Sequence, residues 1–275
     1  MMKKLLVLLF AAVSLPCMAQ SVTCQWHKIK VDASRTGVGV PSVSDVREKI
    51  GTVEKGVYYA PNGRQFRGGC TPLVAERMLA AQPAMAEMKA VVGHASMDLV
   101  KKAPESALSN LIVDCVMTKA ASTTGRKVDV GIMNFGGIRV DLFKGDILMD
   151  DVVSMLPFTN YICYLEVRGR DLRRLFSEMA AHKVQVIGGA RIVVDGGQLE
   201  SVVIDGAPLD DNKVYGVATI DFLLDGGDGI SVARNALSLV RTDVLVREAF
   251  MDHLARLREE GKPLEYSTDG RVTIK

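Results

Sequence analysis

Between residues 104 and 220 the sequence switches repeatedly between two hydrophobic periods, and that switching limits the fold more than any other feature. "PESALSNLIVDCVMTKAAS" places Leu108, Leu111, Ile112, Cys115 and Val116 on one side of a helix. An apolar run at 128–133 reads as a short buried strand, "YICYLEV" as a second, and "GRDLRRLFSEMAAH" as an amphipathic helix between strands. "ARIVVD", "LESVVID" and "VYGVATI" then give three strands separated by Gly and Asp turns. Alternation followed by clustering predicts an α/β fold (α+β in its later part), with a mixed sheet and flanking helices. The 275 residues, 48% of them apolar, suffice for one large domain or two small ones. A net charge of +2 gives no basis for binding a polyanion, so no nucleic acid polymer is expected as a partner.

The flanking segments are read in the same way. "GVYYAPNGRQFRGG" predicts a hairpin turning at Pro61-Asn62-Gly63. Thr71 is an N-cap candidate with Pro72 at the first helical position, and the helical pattern runs to Val92 with a kink or break at Pro83. "ILMDDVVSML" predicts a short helix stopping before Pro157. "TDVLVREAFMDHLARLREEG" predicts a final helix ending at Gly261, and "RVTI" a last strand.

Met1-Met2-Lys3-Lys4 is a basic n-region, Leu5 to Val13 an apolar h-region, and Cys17 and Ala19 are small residues before a cleavage point. This predicts a signal peptide over 1–19 and an exported, periplasmic protein with no transmembrane segment. A lipoprotein acylated at Cys17 or Cys24 is the rival reading, and Pro16 fits it poorly. Cys115 and Cys163 lie in apolar stretches and read as buried thiols, whereas Cys24 and Cys70 are candidates to pair.

His27, His94, His182 and His253 lie far apart, with no H-x-H, D-x-H or H-E-x-x-H spacing, so no metal-ligating set is expected. No G-x-S-x-G elbow is present, and no catalytic residue is assigned. "NFGGIR" is more informative. Gly136 and Gly137 permit close approach to the main chain, Asn134 both donates and accepts, and Arg139 presents a planar fork suited to phosphate. "SMLPFTNY" puts Phe158 directly after Pro157, and "ATIDFLLDGGDGIS" puts Phe222 at a strand's end before a glycine cluster with Asp228. Two aromatic faces, an amide, a carboxylate for a vicinal diol and an arginine for phosphate together describe a nucleotide pocket.

In this order, "PESALSNLIVD", "NFGGIR", "GDILMDDVVSMLPFTN", "VRGRDL", "VIGGARIVVD" and "YGVATIDFLLDGGDGI" resemble the C-terminal substrate-binding domain of the 5′-nucleotidase family. The resemblance covers residues 92–275. It implies that Phe158 and Phe222 sandwich a base, that Asn134 hydrogen-bonds near it, and that Asp228 holds the ribose hydroxyls with Gly227 in the same turn. Arg139 would reach phosphate, Gly136 and Gly137 would allow close approach, and Asn160 would be a neighbour of the site. Phe135 stands where the family often has a glycine, and Pro104 where some members have a phosphate-binding arginine; Arg35, Arg64 or Arg67 are candidate replacements.

In that family a separate N-terminal domain holds two metal ions, and residues 20–91 read instead as a hairpin and helix extension without its D-x-H or G-N-H motifs. The resemblance therefore implies a nucleotide-binding subunit of a split periplasmic 5′-nucleotidase. It would present the phosphate to a separate metallophosphoesterase chain. No cofactor is expected on this chain, and divalent metals are expected on the partner. A free-standing nucleoside scavenger or sensor, and a hydrolase with an unrecognised site, are the alternatives.

Overall fold

The computed structural model describes residues 32–275. The signal-peptide reading and Cys24 lie outside the described residues. In chain order the elements are α1 (Val46–Ile50), β1 (Thr52–Glu54), β2 (Val57–Tyr59), β3 (Gln65–Phe66), α2 (Cys70–Ala81), β4 (Val91–Ala95), α3 (Ala107–Thr124), β5 (Val130–Met133), β6 (Gly145–Leu148), α4 (Met149–Met155), β7 (Tyr161–Arg168), α5 (Gly169–Ala181), β8 (Val186–Gly188), β9 (Ala190–Asp195), β10 (Gln198–Ile204), β11 (Ala207–Pro208), β12 (Val214–Ile220), β13 (Ser238–Leu245), α6 (Val246–Glu259) and β14 (Val272–Ile274).

A five-stranded sheet in the order β13-β7-β12-β5-β8 forms the centre. It is mixed, as predicted: β12 and β5 are parallel and the other neighbours antiparallel. A second sheet runs β11-β10-β9-β14, with β14 added parallel to β9. Helix α3 lies on the central sheet and is covered on its other side by α6, while α5 packs on β7 and β10. Leu108, Leu111, Ile112 and Val116 of α3 are fully buried, the face that the sequence periodicity selects. The helix can sit this close because β5 and β8 present glycines to it. A Cβ at Gly131 would lie 2.6 Å from Met117 Cγ, and one at Gly188 2.6 Å from Met117 Sδ. Ser106 caps α3, its hydroxyl accepting the Ser109 N–H at 3.2 Å.

The expected hairpin at 57–66 is present. Tyr58, Ala60 and Ala75 form a small apolar cluster of their own, apart from the main core.

Four boundaries differ from the sequence reading. Helix α2 starts at Cys70 with Gly69 at the N-cap position, not Thr71, and it ends at Ala81. A single 3-10 turn at Glu87–Lys89 follows, and Val91–Ala95 is strand β4, paired with β6. Ile147 and Leu148 belong to β6, so helix α4 is shorter than predicted. Thr242 to Leu245 extend strand β13, and α6 begins only at Val246.

Candidate functional site at one edge of the central sheet

The strand directions bring the singled-out residues together. Parallel β5 and β12 end on the same edge, and their next residues are Asn134 and Asp221-Phe222. β7 is antiparallel to β12 with Ile162 opposite Ile220, so its start at Tyr161, just after Phe158 and Asn160, lies on that edge. β8 pairs Val186 with Met133, which brings Gln185 there as well. The carboxyl edge of adjacent parallel strands is where open sheets of this kind gather ligand groups.

A chain of contacts joins these loops. Asn134 is 4% exposed, and its Nδ2 donates to Asp228 Oδ2 at 2.7 Å, a bond strengthened by the carboxylate's charge. Its Oδ1 is buried without a hydrogen-bond partner. Asp228 is exposed and adopts φ 50°, a left-handed conformation that aspartate tolerates better than most residues. Next to it, a Cβ on Gly227 would lie 2.1 Å from Phe222 O and 2.8 Å from its ring carbons, so only glycine lets this turn fold onto Phe222. Asp221 Oδ1 accepts the N–H groups of both Phe222 (2.9 Å) and Tyr161 (3.1 Å). From the other side, Arg139 lies over the Phe158 ring with Cζ 5.8 Å from its centroid, and Nη1 donates to Gly136 O at 3.4 Å. A Cβ on Gly136 would sit 3.3 Å from Asp228 Oδ2, and one on Gly137 2.8 Å from Asn134 Oδ1.

The contacts thus link Gly136, Arg139 and Phe158 on one side with Asn134, Asp228, Gly227 and Phe222 on the other, and Asp221 ties the Phe222 turn to Tyr161, three residues after Phe158. Phe158 and Phe222 are each 47% exposed, available to a ligand rather than spent on the core. Asn160 is half-buried and uses its carbonyl to accept the Val246 N–H at 3.1 Å. Asn134 lies deeper than the sequence reading placed it, behind Asp228.

Two residues essential to this arrangement escaped the sequence reading. Asp221 links the two aromatic segments, and Gln185, 3% exposed, accepts the Phe135 N–H at 3.1 Å and holds the "NFGG" turn. An aspartate at a strand's end directly before Phe222 was the available signal; Gln185 offered none. Phe135 itself is buried in the main core, which explains how a large side chain is accommodated in the glycine-rich turn. Of the candidate replacement arginines, Arg35 stacks on Phe66 at 4.9 Å and Arg67 donates to Gln65.

The clefts of the described residues lie elsewhere. The one between α3 and α6 is lined by Asp114, Cys115, Lys119, Asp252, His253 and Arg256 and contains none of these site residues. Burial and the cationic Arg256 hold His253 below its usual pKa. His94 bonds Asp146 on a different surface.

With this geometry established, the family assignment follows. The 5′-nucleotidase, C-terminal domain family matches residues 86–235. The chain belongs to that family. Protein UshA of Yersinia enterocolitica is 29% identical over 176 residues, covering 61% of this chain and 30% of that protein. The trifunctional nucleotide phosphoesterase protein YfkN of Bacillus subtilis is 28% identical over 61% of this chain and 12% of its own length. The chain therefore spans less than a third of these relatives. Among solved structures, a 5′-nucleotidase precursor from Thermus thermophilus superposes with a TM-score of 0.65 at 29% identity, covering 74% of this chain and 43% of that one. The NAD nucleotidase of Haemophilus influenzae shares the fold at a TM-score of 0.55 and 18% identity. These matches confirm both the mixed α/β fold and the resemblance read from six sequence motifs.

Proposed function

We propose that this chain is a nucleoside- and nucleotide-binding module that works in the periplasm with a separate metallophosphoesterase chain. On this reading residues 92–275 form the binding unit, 20–91 an extension and 1–19 a signal peptide. One observation carries the proposal: two exposed phenylalanines, a carboxylate and a guanidinium are linked by a chain of contacts at one sheet edge.

Phe158 and Phe222 take the base by stacking, each face contributing about 1–3 kcal/mol. Asp228 accepts from the two ribose hydroxyls, and Asn134 behind it fixes the carboxylate. Gly136, with Gly137 next to it, leaves the main chain open, and exposed Arg139 faces the phosphate. Asn160 flanks the base side of the site. Hydrolysis is assigned to the partner, where divalent metals would supply the attacking hydroxide. The names nucleotide phosphoesterase and 5′-nucleotidase carried by relatives support the substrate class.

Calorimetric titration with adenosine and AMP tests the binding half. The wild-type chain is expected to bind both, and Phe158→Ala with Phe222→Ala to lose most of the affinity. Absence of binding to either ligand, or an unchanged double variant, refutes the reading. The partnership is tested by phosphate release from AMP: none from the pure chain, and activity when the metallophosphoesterase chain is added.

A further inference from the structure

Asp221 occupies an unusual place in the sheet. Strand β12 pairs with β7 up to Ile220 opposite Ile162, and then leaves the ladder in a 3-10 turn at Asp221–Leu223. Tyr161, the next residue on β7, stays paired with Leu245 of β13, but its N–H has no β12 partner where that strand turns away. The Asp221 carboxylate replaces it: Oδ1 accepts from Tyr161 at 3.1 Å and from Phe222 at 2.9 Å. One oxygen atom therefore holds both segments that carry the phenyl rings. Tyr161 is three residues from Phe158, and Asn160 between them is fixed from its other side by the Val246 N–H.

We infer that Asp221 is a positioning residue that sets the spacing between Phe158 and Phe222, and so determines how well the site accepts a flat heterocycle. The inference rests on the nucleoside reading above. Asp221 contacts neither the sugar nor the phosphate groups of the site, which are served by Asp228 and Arg139. Its effect is confined to the base. A ligand without a base should not register its loss, whereas a purely structural role would weaken all ligands alike.

The test compares wild type, Asp221→Ala and Asp221→Asn, each titrated with adenosine and with ribose 5-phosphate. Asp221→Ala is expected to weaken adenosine by about tenfold, the scale of one impaired stacking contact, and to leave ribose 5-phosphate unchanged. Asp221→Asn keeps an acceptor oxygen and should bind adenosine like wild type. Equal adenosine affinity in wild type and Asp221→Ala, or equal losses for both ligands, overturns the inference. If wild type binds no adenosine, the nucleoside reading falls and the inference with it. Hydrogen exchange on the wild type needs no variant. Adenosine should slow the Tyr161 and Phe222 amides together, and protection of only one of them also overturns the inference.

Discussion

At the scale of single residues, the site depends on bonds between side chains and turns that sequence distance conceals. Asn134 and Asp228 are 94 positions apart, yet their 2.7 Å bond orients the carboxylate. Asn134→Ala should leave Asp228 free to rotate and weaken adenosine by up to about 1.5–3 kcal/mol, the value of a hydrogen bond to a charged group. Binding of 2′,3′-dideoxyadenosine, which has no diol for Asp228, should be unchanged by the substitution. Isothermal titration of the two nucleosides against both proteins checks this. The residue types here were legible, since each side chain's chemistry is local to it. Their partners were not: an amide can serve a base edge or a carboxylate equally well, and only the fold decides that Asn134 turns inward.

At the scale of elements, α3 is the hub, and the final strand is fastened to it. Arg271 donates to both oxygens of Asp114 at 2.8 and 2.7 Å, and Tyr266 donates to the same carboxylate. Arg271 is 9% exposed as a side chain and Asp114 29%. Asp114→Ala would remove the bidentate partner and leave the guanidinium only Asp269 and the Ile187 carbonyl, and the expected loss is about 3 kcal/mol, at the low end for a buried pair because one carboxylate remains. Urea denaturation measures it.

The same cleft between α3 and α6 holds His253, whose pKa is held down by burial and Arg256. The folded protein resists a proton that the unfolded chain accepts at about 6.5. Stability from this group is therefore complete above that pH and declines as pH falls through it. His253→Gln should flatten the decline in urea midpoint between about pH 7.5 and 5.5.

Two of the elements misread from sequence, α4 and α6, share one cause. At β6–α4 and β13–α6 a strand enters a helix with no turn between. In both, an acidic side chain reaches back to the residue before the helix: Asp151 to the Leu148 N–H and Glu248 to the Leu245 N–H, each at 2.8 Å. An acid at the third helical position was the boundary marker, and a continuous apolar pattern across the junction hid it. By contrast, α3, α5, β9, β10 and β12 are bounded by Ser, Gly or Asp signals and were readable.

For the whole molecule, the buried thiols report on opening. Cys115 on α3 is pushed up to about 12 by burial and by the Asp114 carboxylate, and Cys163 on β7 to about 11 by burial and Asp221. Both are in the main core, whereas Cys70 is exposed. Of these three, only Cys70 should react with a thiol reagent in the native state. Labelling of Cys163 should follow the rate of complete unfolding, because the central sheet must open first, whereas Cys115, at the cleft between α3 and α6, should follow separation of those two helices. Mass spectrometry of peptides after timed labelling distinguishes the positions. The fold class was legible at this scale because burial imposes periodicity on sequence. The strand order was not, because nothing local fixes which strand lies beside β12.

That order has a practical consequence for ligand discovery. The set of site residues is assembled from turns after β5 and β12, before β7 and ahead of β8, so no fragment of the chain carries a usable part of it. A denatured polypeptide would have nothing with which to hold a nucleoside, and all affinity must appear as resistance to heat. A ligand at a hundred times its dissociation constant would add about 2.7 kcal/mol to the native state. Melting curves taken across a panel of ribonucleosides and their monophosphates would therefore rank the purines against the pyrimidines without a radiolabel, a coupled enzyme or any prior guess at the cargo.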